Sequence, residues 1–202
     1  MSSGELFGHL TFAVLLFLLL PVARLSPAYR IVLVLTALAL AFLPVKGLSL
    51  GDYTRSYTDD LAITTLTWLV WSVLARTTGR ARTASRHHFQ LAVFFGAMAL
   101  VLYPATLGMT SLDPYRLGFS PLPLLAVMWL ACLWLWWQKN HLAIILMCAA
   151  TFAWLLSVKV SDNYWDYLID PVLGIYCLGY LLGRAVQARK ARVRTAGDAV
   201  PL

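Results

Sequence analysis

Seven apolar runs joined by short gaps make up almost the whole chain, at about 6–24, 29–45, 60–76, 89–107, 122–138, 141–158 and 170–187. A bilayer core about 30 Å thick takes roughly 20 apolar residues at 1.5 Å rise each, so every run reads as a membrane-crossing helix, several near the short limit. With 60% hydrophobic residues, 12% charged residues and a mean hydropathy of +0.74, little chain remains for a soluble domain. The expected fold is all-α: a polytopic transmembrane helical bundle of about seven spans, one domain over 1–188, with a basic and mobile cytoplasmic tail over 189–202. Only Lys139 and Asn140 separate the fifth and sixth runs, which should form a tight antiparallel hairpin.

The gaps alternate in charge. Asp52, Asp59 and Asp60 lie in the second gap, Asp113 in the fourth, and Asp162, Asp166 and Asp170 in the sixth. The other gaps and the tail carry Arg24, Arg30, Arg76, Arg80, Arg82, Arg86, Lys139, Arg184, Arg189, Lys190, Arg192 and Arg194, while only Lys46, Arg55, Arg116 and Lys159 fall among the acids. Basic residues beside span ends stay in the cytoplasm. This division predicts an N-terminus outside and a C-terminus inside, in a multi-pass protein of the cell inner (plasma) membrane.

Several functional classes are disfavoured. The N-terminal run lacks a positive leader and a small-residue cleavage site, so it is expected to remain in the protein. Cys132, Cys148 and Cys177 all lie within runs and should be buried apolar side chains rather than disulfides. The net charge of +7 is spread over membrane-flanking gaps, which fits lipid contact and not nucleic acid. His9, His87, His88 and His141 are too dispersed for a metal site, with His87 and His88 expected in a solvated loop, and no cofactor motif occurs. No charge stands mid-run, which weakens ion-coupled transport. Thr64, Thr65, Thr67 and Ser72 suit interhelical hydrogen bonds better than nucleophilic chemistry.

The acidic gaps hold the candidate binding residues, namely Asp52, Arg55, Asp113, Arg116, Asp162, Asn163, Trp165, Asp166 and Asp170. If 162–170 is helical, with Ser161 as its N-cap, then Asp162, Asp166 and Asp170 line one face, where like charges repel. A positive group should face this stripe, with Arg55, Arg116, Lys46 and Lys159 as the candidates on that side and Arg55 or Arg116 expected to make the pair. Asp59 or Asp60 should cap the third span, and Asp113 should start an Asp-Pro-Tyr-Arg turn. Tyr164, Trp165 and Tyr167 fit an interfacial aromatic belt first and a ring-lined ligand pocket second. Gly179 and Gly183 form a G-x-x-x-G in the last run, favoured as a contact within the fold over one between molecules. Trp129, Trp134, Trp136 and Trp137 crowd the fifth run.

No catalytic set emerges, so an enzyme is the less favoured class. The leading expectation is an accessory or scaffold subunit of a bacterial-type cell-envelope complex, contacting membrane lipids and another membrane protein. A small carrier or flippase for a lipid-linked or glycan substrate comes second, and an intramembrane transferase using outer-face carboxylates third. The topology is tested by replacing the three native cysteines and introducing one at position 113. It should react with an impermeant maleimide on intact cells, and labelling only after the cytoplasm is opened would reverse the orientation.

Overall fold

Each of the seven apolar runs contains a helix in the computed structural model, which describes residues 3–79 and 83–198. In chain order the helices are α1 (Ser3–Leu19), α2 (Pro27–Ala41), α3 (Leu50–Thr58), α4 (Ile63–Thr78), α5 (Ser85–Thr106), α6 (Leu122–Trp137), α7 (His141–Leu155), α8 (Trp165–Leu168) and α9 (Pro171–Asp198). The fold is thus mostly helical. Among the described residues α5 alone is long and apolar enough to cross a bilayer, at 22 residues, while Gly4–Leu19, Pro27–Ala41, Leu122–Trp137 and His141–Leu155 are apolar but shorter. The expected seven full-length spans are therefore not what the helix lengths give. Proline contributes to this shortening: α1 ends before Pro21 and α2 before Pro44, since proline lacks the N–H that a continuing helix needs.

The gap between α2 and α4 holds structure that the apolar pattern does not signal. A two-residue hairpin pairs β1 (Pro44–Val45) with β2 (Leu48–Ser49), closed by Lys46 and Gly47 at φ 49° and 91°. Positive φ at both central residues matches the twist of tight hairpins, and glycine adopts it without a Cβ penalty. Ser49 then begins α3 through a capping box: its hydroxyl accepts the Asp52 N–H at 3.0 Å, and Asp52 Oδ2 accepts the Ser49 N–H at 3.0 Å.

Two apolar clusters share α4. Val14, Phe17, Val22 and Val73 join α1 to α4. The larger cluster runs through α4 to α9, with Leu91, Phe95, Leu135, Leu146, Met147 and Cys177 fully enclosed. Cys132 is half-buried and Cys148 exposed, so the expectation of three buried thiols holds for Cys177 alone.

Glycines set the close approaches, although not at the expected pair. A Cβ on Gly51 of α3 would lie 2.8 Å from the His9 Cα, and one on Gly8 of α1 would lie 2.8 Å from the Gly51 carbonyl oxygen. Gly96 of α5 faces Leu181, and Gly174 of α9 faces Tyr103 and Ala99. Among the described residues nothing within 4 Å would meet a Cβ on Gly179 or Gly183, and none of them packs on this pair as the spacing suggests. The surrounding α9 surface exposes Ile175 and Leu182.

Gaps of like charge meet at the same end of the bundle. At the basic end, Arg30 donates to the Arg76 carbonyl at 2.7 Å, Arg86 reaches Gln138, and Asn140 Nδ2 donates to the His87 carbonyl at 3.1 Å. α5 starts at Ser85, so His87 and His88 are helical, and His88 packs against Trp68 and Tyr180 instead of lying in a loop. α9 continues through the basic segment to Asp198, extending the helix well beyond the expected span. Arg80, Arg82 and residues 199–202 lie outside the described residues, as do the side chains of Arg192 and Arg194.

These contacts separate two glycine classes. Gly51→Leu should lower stability by roughly 1–3 kcal/mol through overpacking against His9, whereas Gly179→Leu should leave it unchanged. Thermal unfolding in detergent checks the contrast, and equal losses would contradict the packing described.

Candidate functional site

The three acidic gaps fold into one cap at the end of the bundle opposite the basic gaps. Asp113 starts the expected turn: its Oδ1 accepts the Arg116 N–H at 3.2 Å and opens a 3-10 turn over Pro114–Gly118. This turn supplies the seat for 161–168. Gly118 O accepts the Tyr164 N–H at 3.1 Å, Pro114 O accepts the Trp165 indole N–H at 2.9 Å, and Tyr115 O accepts the Asn163 amide at 3.0 Å. Asn163 Oδ1 then accepts the Trp165 N–H at 2.9 Å, and the Asn163 N–H donates to Ser161 Oγ at 3.1 Å. The carboxamide therefore joins two loops. A Cβ on Gly118 would sit 1.7 Å from Asn163 Oδ1, which explains why glycine stands there.

The expected acidic helix over 162–170 does not form. Helix covers only Trp165–Leu168, and Ile169 is extended at φ −151°. Local side-chain bonds compete with a helix here, because Ser161 and Asn163 both hold backbone N–H groups of the loop. As a result Asp162, Asp166 and Asp170 point to different places: Asp162 is exposed, Asp166 is half-buried and Asp170 is buried. Ser161 does not cap a nine-residue helix; its hydroxyl donates to Asp166. The rings of Tyr164, Trp165 and Tyr167 are buried, at 0%, 4% and 0% exposure, which replaces the expected aromatic belt with a core.

Asp170 carries two helix starts. Its Oδ1 accepts the Leu173 N–H at 2.7 Å in the first turn of α9, and its Oδ2 accepts the Ala62 N–H at 2.8 Å at the start of α4. Helix N-termini carry unpaired N–H groups and partial positive charge, so one carboxylate stabilises both. Neither Asp59 nor Asp60 caps α4; Asp59 ends α3 at φ 54°, and Asp60 pairs with Arg55. Beside this point Thr64 donates to the Leu168 carbonyl at 2.7 Å.

The cationic partners also differ from expectation. Arg55 meets Asp60 in a two-pronged contact, Nε to Oδ1 at 2.7 Å and Nη2 to Oδ2 at 3.2 Å. That pairing raises the guanidinium pKa, with the Asp60 hydrogen bond as the largest cause. Arg116 is exposed, and its backbone, not its guanidinium, contacts Asp113. Lys159 is the cation laid against the acidic segment, and it binds backbone: Asp60 O at 2.7 Å, Asp166 O at 2.9 Å and Leu61 O at 3.4 Å. Burial pushes the ammonium pKa down, opposed by the negative charges of Asp166 and Asp60. Tyr115 donates to Asp166 at 3.1 Å, and burial and then that carboxylate raise its phenol pKa.

One contact brings a histidine to an acid. His9 Nε2 lies 3.0 Å from Ser49 Oγ, which lies 2.6 Å from Asp52 Oδ2. The hydroxyl has one proton and already accepts the Asp52 N–H, so it is held as a helix cap. The hydrogen bonds from Ser49 lower the Asp52 pKa. Among the described residues no group of three or more His, Cys, Asp or Glu could hold a metal ion. The polar atoms of Asn163, Asp166, Asp170 and Lys159 are spent on holding this chain's own loops. A separate cavity of ≈1000 Å³ opens at the basic end, lined in part by Arg30, Arg76 and Thr65, none of which the sequence marked as a binding residue. No known family model matches the chain, nor does any curated protein or solved structure.

Substitutions in the cap should act on stability before anything else. Gly118→Ala should displace Asn163, and Trp165→Ala should cost about 3–5 kcal/mol from its lost burial. Unfolding in detergent measures both, and a Trp165→Ala protein of unchanged stability and abundance would contradict the buried cap.

Proposed function

We propose that the chain is a multi-pass inner-membrane protein of seven short spans that serves as a non-catalytic accessory or scaffold subunit in a cell-envelope complex. One observation carries this reading: Asn163, Lys159, Asp166 and Asp170, the polar side chains at the heart of the outer cap, are engaged within the chain. A catalytic or ligand-binding cap would keep some of these groups free for a substrate. The membrane part of the reading draws support from a helix in each of the seven apolar runs and from the segregation of acidic and basic gaps to opposite ends.

Helices of 15–17 residues span roughly 22–26 Å at 1.5 Å per residue, a shortfall that local bilayer thinning and snorkelling basic residues accommodate. On α2 the side chains of Tyr29, Ile31, Val32 and Leu35 are all exposed, and on α6 so are Trp129, Trp136 and Trp137. Such surface is costly in water and neutral in lipid. Gly179 and Gly183, open on the surface of α9, offer the close approach that a partner's transmembrane helix uses.

Mild-detergent purification without crosslinker tests the assignment. The protein should resist alkaline extraction and retain a stoichiometric membrane partner, and Gly179→Leu with Gly183→Leu should release that partner at normal abundance. A protein purified without partner that moves a lipid-linked substrate in liposomes would replace this reading with the carrier one, which the cavity at the basic end favours.

A further inference from the structure

The cavity at the basic end lies along one face of α4. Thr65, Leu69, Ser72 and Arg76 line it at helical spacing, so it runs roughly 16 Å along the helix axis. Its other walls are largely apolar, contributed by residues such as Val22 and Leu173. The groove is therefore long, greasy and open, with its charge at one end.

That end holds two guanidiniums and, among the described lining residues, no carboxylate. Arg30 donates to the carbonyls of Arg76 at 2.7 Å and Ala23 at 3.1 Å, and Arg76 donates to the Leu18 carbonyl. Carbonyls orient the two groups but do not neutralise them. Arg30 Nε is buried without a hydrogen-bond partner. An unpaired buried donor and uncompensated charge beside apolar walls are unfavourable until an acceptor of opposite charge arrives. Arginine forks suit phosphate oxygens in particular.

We propose that this groove holds a single phosphate-bearing lipid, with its phosphate on Arg30 and Arg76 and its hydrocarbon chain lying along α4 toward Thr65. The proposal rests on the membrane reading above and adds a specific ligand class to it. The shared chemistry is a phosphate, so a free anion and a lipid headgroup must be told apart. The amphiphilic shape of the groove selects the lipid: a small anion would leave its apolar length unfilled.

The test uses delipidated full-length protein in neutral detergent, with thermal unfolding and native mass spectrometry as readouts. Added phosphatidylglycerol should raise the unfolding temperature and remain bound, with about tenfold preference over phosphatidylcholine. Inorganic phosphate should not reproduce the shift. Arg30→Gln and Arg76→Gln should abolish the preference, and because both guanidiniums also hold helix ends, Ala75→Trp supplies a second variant that fills the groove and leaves them in place. Equal stabilisation by phosphatidylcholine, full reproduction by inorganic phosphate, or undiminished lipid retention by Ala75→Trp would each overturn the proposal. Release of the protein from membranes by alkaline wash would instead overturn the membrane reading, so the two failures are distinguishable.

Discussion

A single carboxylate, that of Asp170, ties the N-terminal ends of α4 and α9, joining positions 108 residues apart in the chain. The Ala62 N–H before α4 and the Leu173 N–H in the first turn of α9 are both buried, where they cannot turn to water. Asp170 solves this for both at once, and Pro171 at the next position adds a residue whose missing N–H costs nothing there. The cap then has a fixed base. Leu168 O receives Thr64, Lys159 closes over the Asp60 and Leu61 carbonyls, and Asn163 locks the turn after α5 onto the same segment.

The two ends of the bundle consequently differ in kind. At the acidic end carboxylates, an amide and an ammonium mostly bind backbone of the same chain, and aromatic rings fill the space between them. At the basic end Arg30 and Arg76 donate to backbone carbonyls beside a cavity that the described residues leave unfilled. Alternation of charge along the sequence was a statement about sides of a membrane. In three dimensions it is also a division between a sealed end and an open one.

Helix positions were legible in the sequence because long apolar runs signal helix whatever surrounds them; Pro114 and Asp113 marked their turn because proline and aspartate act locally. Where tertiary contacts decide, local reading failed. The i, i+4, i+8 spacing of Asp162, Asp166 and Asp170 assumed a helix, yet Ser161 and Asn163 hold that backbone in a loop. Gly179 and Gly183 carry a familiar packing spacing and meet no side chain among the described residues, while Gly8, Gly51 and Gly118 stand at close approaches no short-range pattern announces. The bridging role of Asp170 joins positions 62 and 170, so no window of sequence contains it. Nor does spacing place Arg30 beside Arg76.

The Asp170 bridge is tested most directly by a double-mutant cycle between Asp170→Ala and Ala62→Pro, since proline removes the N–H that Oδ2 accepts while the Ala62 φ of −58° already suits it. A hydrogen bond to a charged group contributes about 1.5–3 kcal/mol, so unfolding in detergent should show coupling of that order between the two substitutions. Strictly additive losses would mean that Asp170 does not join α4 to α9, and would contradict the account of the cap.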